Sequence, residues 1–342
     1  MTINKTAIVY IAYGPDHLHK QVILSILTLY YFLNKKGEFE KINLIVYTDN
    51  KEIFEKYLNE INIKYEILTS QKIKEYINNM GYIHRVKICV IKDCFQKYKS
   101  NILYVDGDTY FLKSPFELIN KISDDISIFH VKEFELIEQS RYTEGKAINF
   151  GYFPEIFLNS VITKNNTSLK VKEIKIDKNT EMWNSGVIGI SISNLSLLDK
   201  VLQINDQISK KTSYFLAEQF AFSYIFFKKT TLIPADQFIY HYWLAQLKEV
   251  YNFYIDKFLE ENNGLTINSK AEKAVELTKH QNELSLSKKT KKEEFIRKLQ
   301  KIRKLNKTKI SFLTYHLSLQ LTNFCRYWFR AIIISTRQQS KN

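Results

Sequence analysis

Short apolar runs of strand length alternate with helically periodic stretches along the first two-thirds of this chain. Ala7–Ile11 is a β-rich run halted by Tyr13-Gly14-Pro15, which predicts a first strand and a turn. From Asp16 onward, Val22, Ile26, Leu29 and Leu33 fall on one helical face. Asn43–Tyr47 predicts a second strand, followed by a helix over about 51–59, a strand near 62–68 and a short helix near 71–79. A further helix from about Tyr82 to Tyr98 leads into the apolar run Ile102–Val105. Strands are predicted again at Ile126–Val131, within Met182–Ile192 and at Thr231–Ile233, with helices near 194–210 and 214–227. This alternation with short links is the signature of an α/β fold built on a mostly parallel sheet with helices on both faces.

The stretch Asn101–Phe111, NILYVDGDTYF, adds chemistry to that frame. A buried strand ends in two carboxylates, Asp106 and Asp108, with only Gly107 between them. Such a pair is costly unless positive charge sits beside it. In open α/β sheets, ligands bind beyond the carboxyl ends of the strands, where a hard divalent cation carrying phosphate oxygens meets both demands. Gly107 would allow close backbone approach to a ligand. Asp-x-Asp alone is a weak motif, but its place at the end of an apolar strand is more specific.

Four other groups of residues can be set beside this pair. His84, Arg85 and Lys87 open the helix before it, and the guanidinium fork of Arg85 suits a diphosphate. A solvated basic face is the plainer account of the three. His241, at the end of the strand-like Ile239–Trp243, is a candidate third metal ligand, and imidazole beside carboxylates suits Mn²⁺ better than Mg²⁺. Glu218 opens a helix, where it either compensates the helix dipole or contacts an acceptor hydroxyl. Asn184-Ser185-Gly186 is either an ordinary turn or a place where a sugar lies against backbone.

The length of 342 residues suits one large α/β domain with an appendage, and a hydrophobic fraction of 45% supports a real core. Nine Gly and four Pro argue against long low-complexity segments. Three cysteines without metal spacing predict no disulfide framework and point to a reducing cytoplasm. The opening residues predict no secretory signal, and no run predicts a membrane-spanning helix.

The net charge of +14 points to an acidic partner. Most of it is local: Lys288–Lys309 holds eleven Lys/Arg and two Glu, a charge of +9. Phe295, Leu299, Ile302 and Leu305 keep helical spacing within that run, and Leu313, Leu317, Leu321, Phe324, Trp328 and Ile332 make a second stripe. Basic amphipathic helices with aromatic residues predict binding to an anionic membrane surface. Packing of the stripe on the rest of the chain is the alternative.

The motifs together resemble the metal-dependent nucleotide-sugar glycosyltransferases of the GT-A fold, most nearly the retaining family 8 type, over about residues 5–250. Ile8–Asp16 resembles the first strand and loop that hold uridine, implying contacts from Ala12 and Tyr13. The segment Ile83–Ile88 is similar to that family's Arg-Leu-x-Ile, implying Arg85 on the nucleotide-sugar. LYVDGDT at Leu103–Thr109 resembles the metal strand, implying Asp106 and Asp108 as ligands, and His241 matches the C-terminal metal histidine. Trp183–Val187 resembles the segment beside the donor sugar, implying Asn184 and Gly186. Lys248 matches a lysine that contacts diphosphate, although the glycine usual between histidine and lysine is absent. Glu218-Gln219 stands where inverting relatives present Glu-Asp with the second carboxylate as base, and the amide leans toward retention.

The resemblance implies transfer of a hexose from a UDP-sugar to a glycan or glycolipid hydroxyl, of the cell-surface polysaccharide or lipopolysaccharide type, with Mn²⁺ (or Mg²⁺) as cofactor. The predicted architecture is a catalytic domain over 1–250, with a nucleotide-sugar half to about 110 and an acceptor half beyond it, then a basic helical extension over 251–342. The acceptor is expected under residues 133–180. The protein is expected in the cytoplasm on the inner face of the membrane, without a nucleic-acid partner. Two rivals stand beside this reading: a non-catalytic membrane or RNA binder using the basic tail, and a sugar-nucleotide pyrophosphorylase. The second needs a Gly-rich basic loop that Tyr13-Gly14-Pro15 does not supply.

Overall fold

Strand β1 (Thr6–Ala12) sends alternate side chains into two separate hydrophobic cores, and that alternation sets the layering of the molecule. Ile8 and Tyr10 enter one core, while Ala7 and Val9 enter the other. The computed structural model describes residues 5–79, 81–135, 180–212, 216–243 and 245–284. The first core lies under helix α1 (Asp16–Asn34) and also takes in Phe54 and Leu58 of α2 (Lys51–Leu58). The second lies under α4 (Arg85–Tyr98), α6 (Leu197–Thr212) and α7 (Ala217–Lys229), with α3 (Ser70–Ile77) on α4.

The central sheet joins β1 to β2 (Ile42–Thr48), β3 (Lys64–Ile67), β4 (Ile102–Val105), β6 (Ile126–Phe129), β9 (Val187–Ile190) and β10 (Thr231–Pro234). Their order is β10-β6-β9-β4-β1-β2-β3. Pairings among β4, β1, β2 and β3 are parallel, as is β10 with β6, and β9 alone runs antiparallel to both its neighbours. The chain runs outward from β1 through β2 to β3 and then returns to β4 on the other side. That reversal makes a switch point between β1 and β4, where a crevice for ligand opens at the strand ends.

Two small antiparallel pairs extend the fold at that edge. β5 (Thr109–Phe111) pairs with β11 (Ile239–His241), and β7 (Lys132–Glu135) pairs with β8 (Glu181–Trp183). A short helix α5 (Phe116–Ile119) lies between β5 and β6. The periodicity places these elements to within a few residues. Its helix from about Tyr82 starts instead at Arg85, after a turn.

Helices α8 (Ala245–Glu261) and α9 (Ile267–Leu284) follow. Both belong largely to the first of two compact units, which spans residues 1–279. This is past residue 250, where the composition turns helical and basic. The reason is apolar: Tyr251, Ile255, Leu259, Ile267, Ala271 and Ala274 are buried in the core under α1. Lys20 of α1 also pairs with Asp256 at 2.8 Å. The second unit spans 280–342, and the basic run Lys288–Lys309 and the stripe Leu313–Ile332 lie outside the described residues. So does most of the expected acceptor region 133–180. Among the described residues no helix is long and apolar enough to cross a membrane.

Packing between β9 and β6 is close enough to test. A Cβ on Gly189 would lie 2.7 Å from Cβ and 2.8 Å from Cγ1 of Ile128 on the neighbouring strand. Both strands are fixed by ladder bonds, so Gly189→Ala should cost about 1–3 kcal/mol of stability. A urea midpoint lowered at unchanged slope checks this, and an unchanged midpoint would show that the strands can separate.

Candidate active site

Period two along β4 puts Asp106 on the same face as Tyr104, whose hydroxyl donates to Asp106 Oδ1 at 2.6 Å. Lys87, two residues into α4, brings Nζ to 3.1 Å from Asp106 Oδ2. The Asp106 amide donates to the Gly186 carbonyl at 2.8 Å, and Thr109 Oγ1 donates to the Asp106 carbonyl at 2.7 Å. The intervening Gly107 faces α1 and not the open approach for ligand expected from the sequence. A Cβ there would stand 2.8 Å from Val22 Cγ2. Asp108 then turns toward β11, because β5 and β11 pair Thr109 with His241. His241 Nε2 lies 3.3 Å from Asp108 Oδ1, and Lys248 Nζ of α8 lies 2.6 Å from Oδ2.

Asp106, Asp108 and His241 each bring one ligand atom within 4.8 Å of the others. The orientation of His241 is held from behind. Asn184 Oδ1 accepts the Gly186 amide at 2.9 Å and lies 2.9 Å from His241 Nδ1. An amide oxygen only accepts, so Nδ1 carries the proton. Nε2 is then left facing a carboxylate, a placement that calls for a second proton or a metal ion. Two carboxylates and one imidazole fit a divalent transition ion. Burial opposes ionisation of Asp108, but His241 and then Lys248 outweigh it and hold its carboxyl well below the usual range. Gly186 is needed here too, since a Cβ would fall 2.2 Å from His241 Nδ1.

A second charged group lies alongside. Lys87 Nζ is 3.4 Å from Glu218 Oε1, and Ser185 Oγ donates to Glu218 Oε2 at 3.2 Å. Lys87 also donates to the Ser185 carbonyl at 3.2 Å. Burial works against charge on Lys87, yet Asp106 and then Glu218 raise its pKa and keep it protonated. Burial pushes the Glu218 carboxyl up to about 7, against the pull of Lys87 and with the help of Asp106. Beside it, Gln219 Oε1 accepts the Ser185 amide at 3.4 Å and Gln219 Nε2 donates to Glu133 Oε2 at 2.9 Å. Glu133 Oε1 accepts from Asn184 Nδ2 at 2.9 Å.

The structure thus gathers Asp106, Asp108, His241, Lys248, Asn184, Gly186, Glu218 and Gln219 at one edge. Arg85 is placed elsewhere. Its guanidinium bonds Asp206 at 2.8 and 3.2 Å and donates to the Tyr76 carbonyl, tying α4 to α6 and to the end of α3. The cation of that helix at the carboxylates is Lys87, two residues on and so on a different helical face. Ala12 is buried at the end of β1. Tyr13 follows it beside Asp49, and burial and then that carboxylate push its hydroxyl up to about 12. Asp49 accepts the Gly14 amide at 2.9 Å and bonds His19 Nε2 at 2.8 Å, fixing the loop after β1. Next to His241 opens a cavity of about 360 Å³ lined by His130, Tyr240, Trp243 and Leu247 among others. Sequence reasoning missed Glu133 as a site residue, and saw Lys87 only as part of a basic face.

The raised pKa of Glu218 has a stability consequence. A carboxyl whose folded pKa of about 7 exceeds its ordinary 4.5 is favourable below pH 4.5, and that stability is lost as pH rises through 7. Wild-type protein should therefore lose roughly 3 kcal/mol relative to Glu218→Gln across that window, at about 1.4 kcal/mol per pH unit. Urea unfolding of both proteins from pH 4.5 to 8 checks this, and parallel curves would remove the shift.

No family model matches the chain, and neither does any curated protein. Solved structures similar to it include the galactosyltransferase LgtC in complex with donor and acceptor sugar analogues, at 12% identity over 67% of this chain and 74% of that one, with a TM-score of 0.43. The bifunctional glycosyltransferase WbbM is similar at 13% identity over 69% of this chain and 40% of its own, with a TM-score of 0.46. Mouse xyloside xylosyltransferase 1 is similar at 14% identity over 67% and 84%, with a TM-score of 0.42. Likeness this distant decides nothing about activity, which has to rest on the site itself.

Proposed function

We propose that the protein is a metal-dependent glycosyltransferase of the GT-A type, moving a hexose from a UDP-sugar to a hydroxyl of a glycan or glycolipid. The observation that carries this reading is the convergence of Asp106, Asp108 and His241 within 4.8 Å at the switch point of the sheet. Those three residues would hold Mn²⁺ or Mg²⁺, which supplies charge neutralisation for diphosphate oxygens.

The other residues take roles from their positions. The loop after β1, with Ala12 backbone and the Tyr13 ring, lies where the uridine would rest, and Asp49 keeps that loop in shape. Lys248 has a side chain 40% exposed and can turn from Asp108 toward a diphosphate. Lys87 adds fixed positive charge beside Asp106. In the transfer, the bond from the anomeric carbon to the phosphate oxygen breaks, and UDP leaves with the electron pair. The acceptor oxygen bonds that carbon and gives its proton to phosphate or solvent. Gln219 cannot take that proton, which favours retention of configuration, and Glu218 and Gln219 line the sugar side. The cavity beside His241 offers room for an acceptor next to the reacting centre. Arg85 is not assigned to the donor here, because Asp206 already occupies its fork.

Purified protein with UDP-hexoses and Mn²⁺ should show donor hydrolysis, and transfer when an acceptor glycan is supplied. Asp108→Asn should lower both by roughly 100-fold or more, since loss of a direct ligand exceeds the 10–100-fold typical of outer-shell changes. Chelation should do the same and be reversed by added Mn²⁺. Activity untouched by both would overturn the metal-dependent reading.

The tail carrying a local +9 is proposed to hold the enzyme at an anionic membrane surface. Full-length protein should then cosediment with anionic vesicles at low salt and release as salt rises. Absence of binding at low salt would remove this part.

A further inference from the structure

Glu133 has no place in the chemistry above, yet its carboxylate joins Asn184, which backs His241, to Gln219, which neighbours Glu218. It is the second residue of β7, and its carboxylate is largely buried. Burial raises its pKa, while bonds from Asn184 and Gln219 lower it. Each of its oxygens accepts one amide: Oε1 from Asn184 Nδ2 and Oε2 from Gln219 Nε2, both at 2.9 Å. Those two bonds decide which way both amides point. With its NH₂ held by Glu133, Asn184 must present Oδ1 to the Gly186 amide and to His241 Nδ1. With its NH₂ held by Glu133, Gln219 must present Oε1 to the Ser185 amide.

We propose that Glu133 is a positioning residue that sets the tautomer of His241 through Asn184, leaving Nε2 with its lone pair toward Asp106 and Asp108 for a divalent cation. The inference rests on the reading of those three residues as a cation site. An Asn184 turned end for end would offer NH₂ to Nδ1. Nδ1 would then have to accept, Nε2 would carry the proton of the neutral ring, and the histidine would be lost as a ligand. Glu133 prevents that turn because a carboxylate can only accept. Gly186 supports the same orientation with its amide, but one backbone donor is weaker than a donor and a buried anion together.

The test uses binding of Mn²⁺ alone, read by titration calorimetry or by the loss of the free-ion spin resonance signal. Glu133→Gln keeps the shape but offers NH₂ to one of the two amides, and Asn184→Ala removes the link. Each should weaken Mn²⁺ binding about 10–100-fold, the range for outer partners of metal ligands. If Glu133 acts through Asn184, the double variant should bind as the Asn184→Ala protein does, without a further loss. A purely structural role would give losses that add, together with a matching fall in Tm of the metal-free protein. Wild-type affinity in Glu133→Gln, or additive losses in the double variant, would overturn the proposal. Wild-type protein that binds no Mn²⁺, with Asp108→Asn no different, would overturn the cation site itself and Glu133's role with it. Wild-type binding lost in Asp108→Asn but kept in Glu133→Gln would overturn the role of Glu133 alone.

Discussion

Two carboxylates where a strand ends, Asp106 partly buried and Asp108 fully so, are the constraint on which the rest of this structure depends. Asp108 is almost without solvent, and an unpaired anion in that position would cost several kcal/mol. The fold meets the demand by bringing two ammonium groups and an imidazole from three separate places. Lys87 arrives from α4 on one face of the sheet, His241 from the strand paired to β5, and Lys248 from α8. Each requires a different long-range arrangement, so the charge balance depends on the sheet, on the β5–β11 pair and on the docking of α8 against α1. The small residues nearby follow from the same crowding. Gly107 gives room to α1 and Gly186 gives room to the imidazole.

Much of the frame was legible because it is written locally. Apolar runs of four to seven residues marked the strands, and helical periodicity marked α1, α4 and α6. Asp106 and Asp108 were legible for the same reason, since only Gly107 separates them and they end a strand. His241 was reached by its place late in the sheet region. What sequence could not give was helical phase. Arg85 and Lys87 are two residues apart on one helix, and which of them meets the carboxylates depends on how α4 is rotated against the sheet. That rotation is fixed by Val86, Ile88 and Ile91 in the second core and by Asp206 on a helix more than a hundred residues later. Glu133 was hidden for a related reason. It lies at the start of a polar stretch without periodicity, and its partners Asn184 and Gln219 are 51 and 86 residues away.

The two lysines differ in a way that separates a fixed charge from an exchangeable one. Lys87 has a side chain only 10% exposed and is enclosed by Asp106, Glu218 and Ser185. Moving it would leave the buried Glu218 and the partly buried Asp106 without their cation, so it is part of the built electrostatic field. Lys248 is 40% exposed and holds a single oxygen of Asp108 from the side of α8. Its removal leaves Asp108 with His241 still facing it, and a long flexible stem lets the ammonium reach elsewhere. On the proposed reading, a diphosphate would draw Lys248 from the carboxylate, while Lys87 would stay in place. Because the displaced contact is an ion pair at the rim of the site, the exchange costs far less than opening the Lys87 cluster would. The fold thus fixes Lys87 among carboxylates and leaves Lys248 on an exposed stem, the one the proposed reading would pair with a diphosphate.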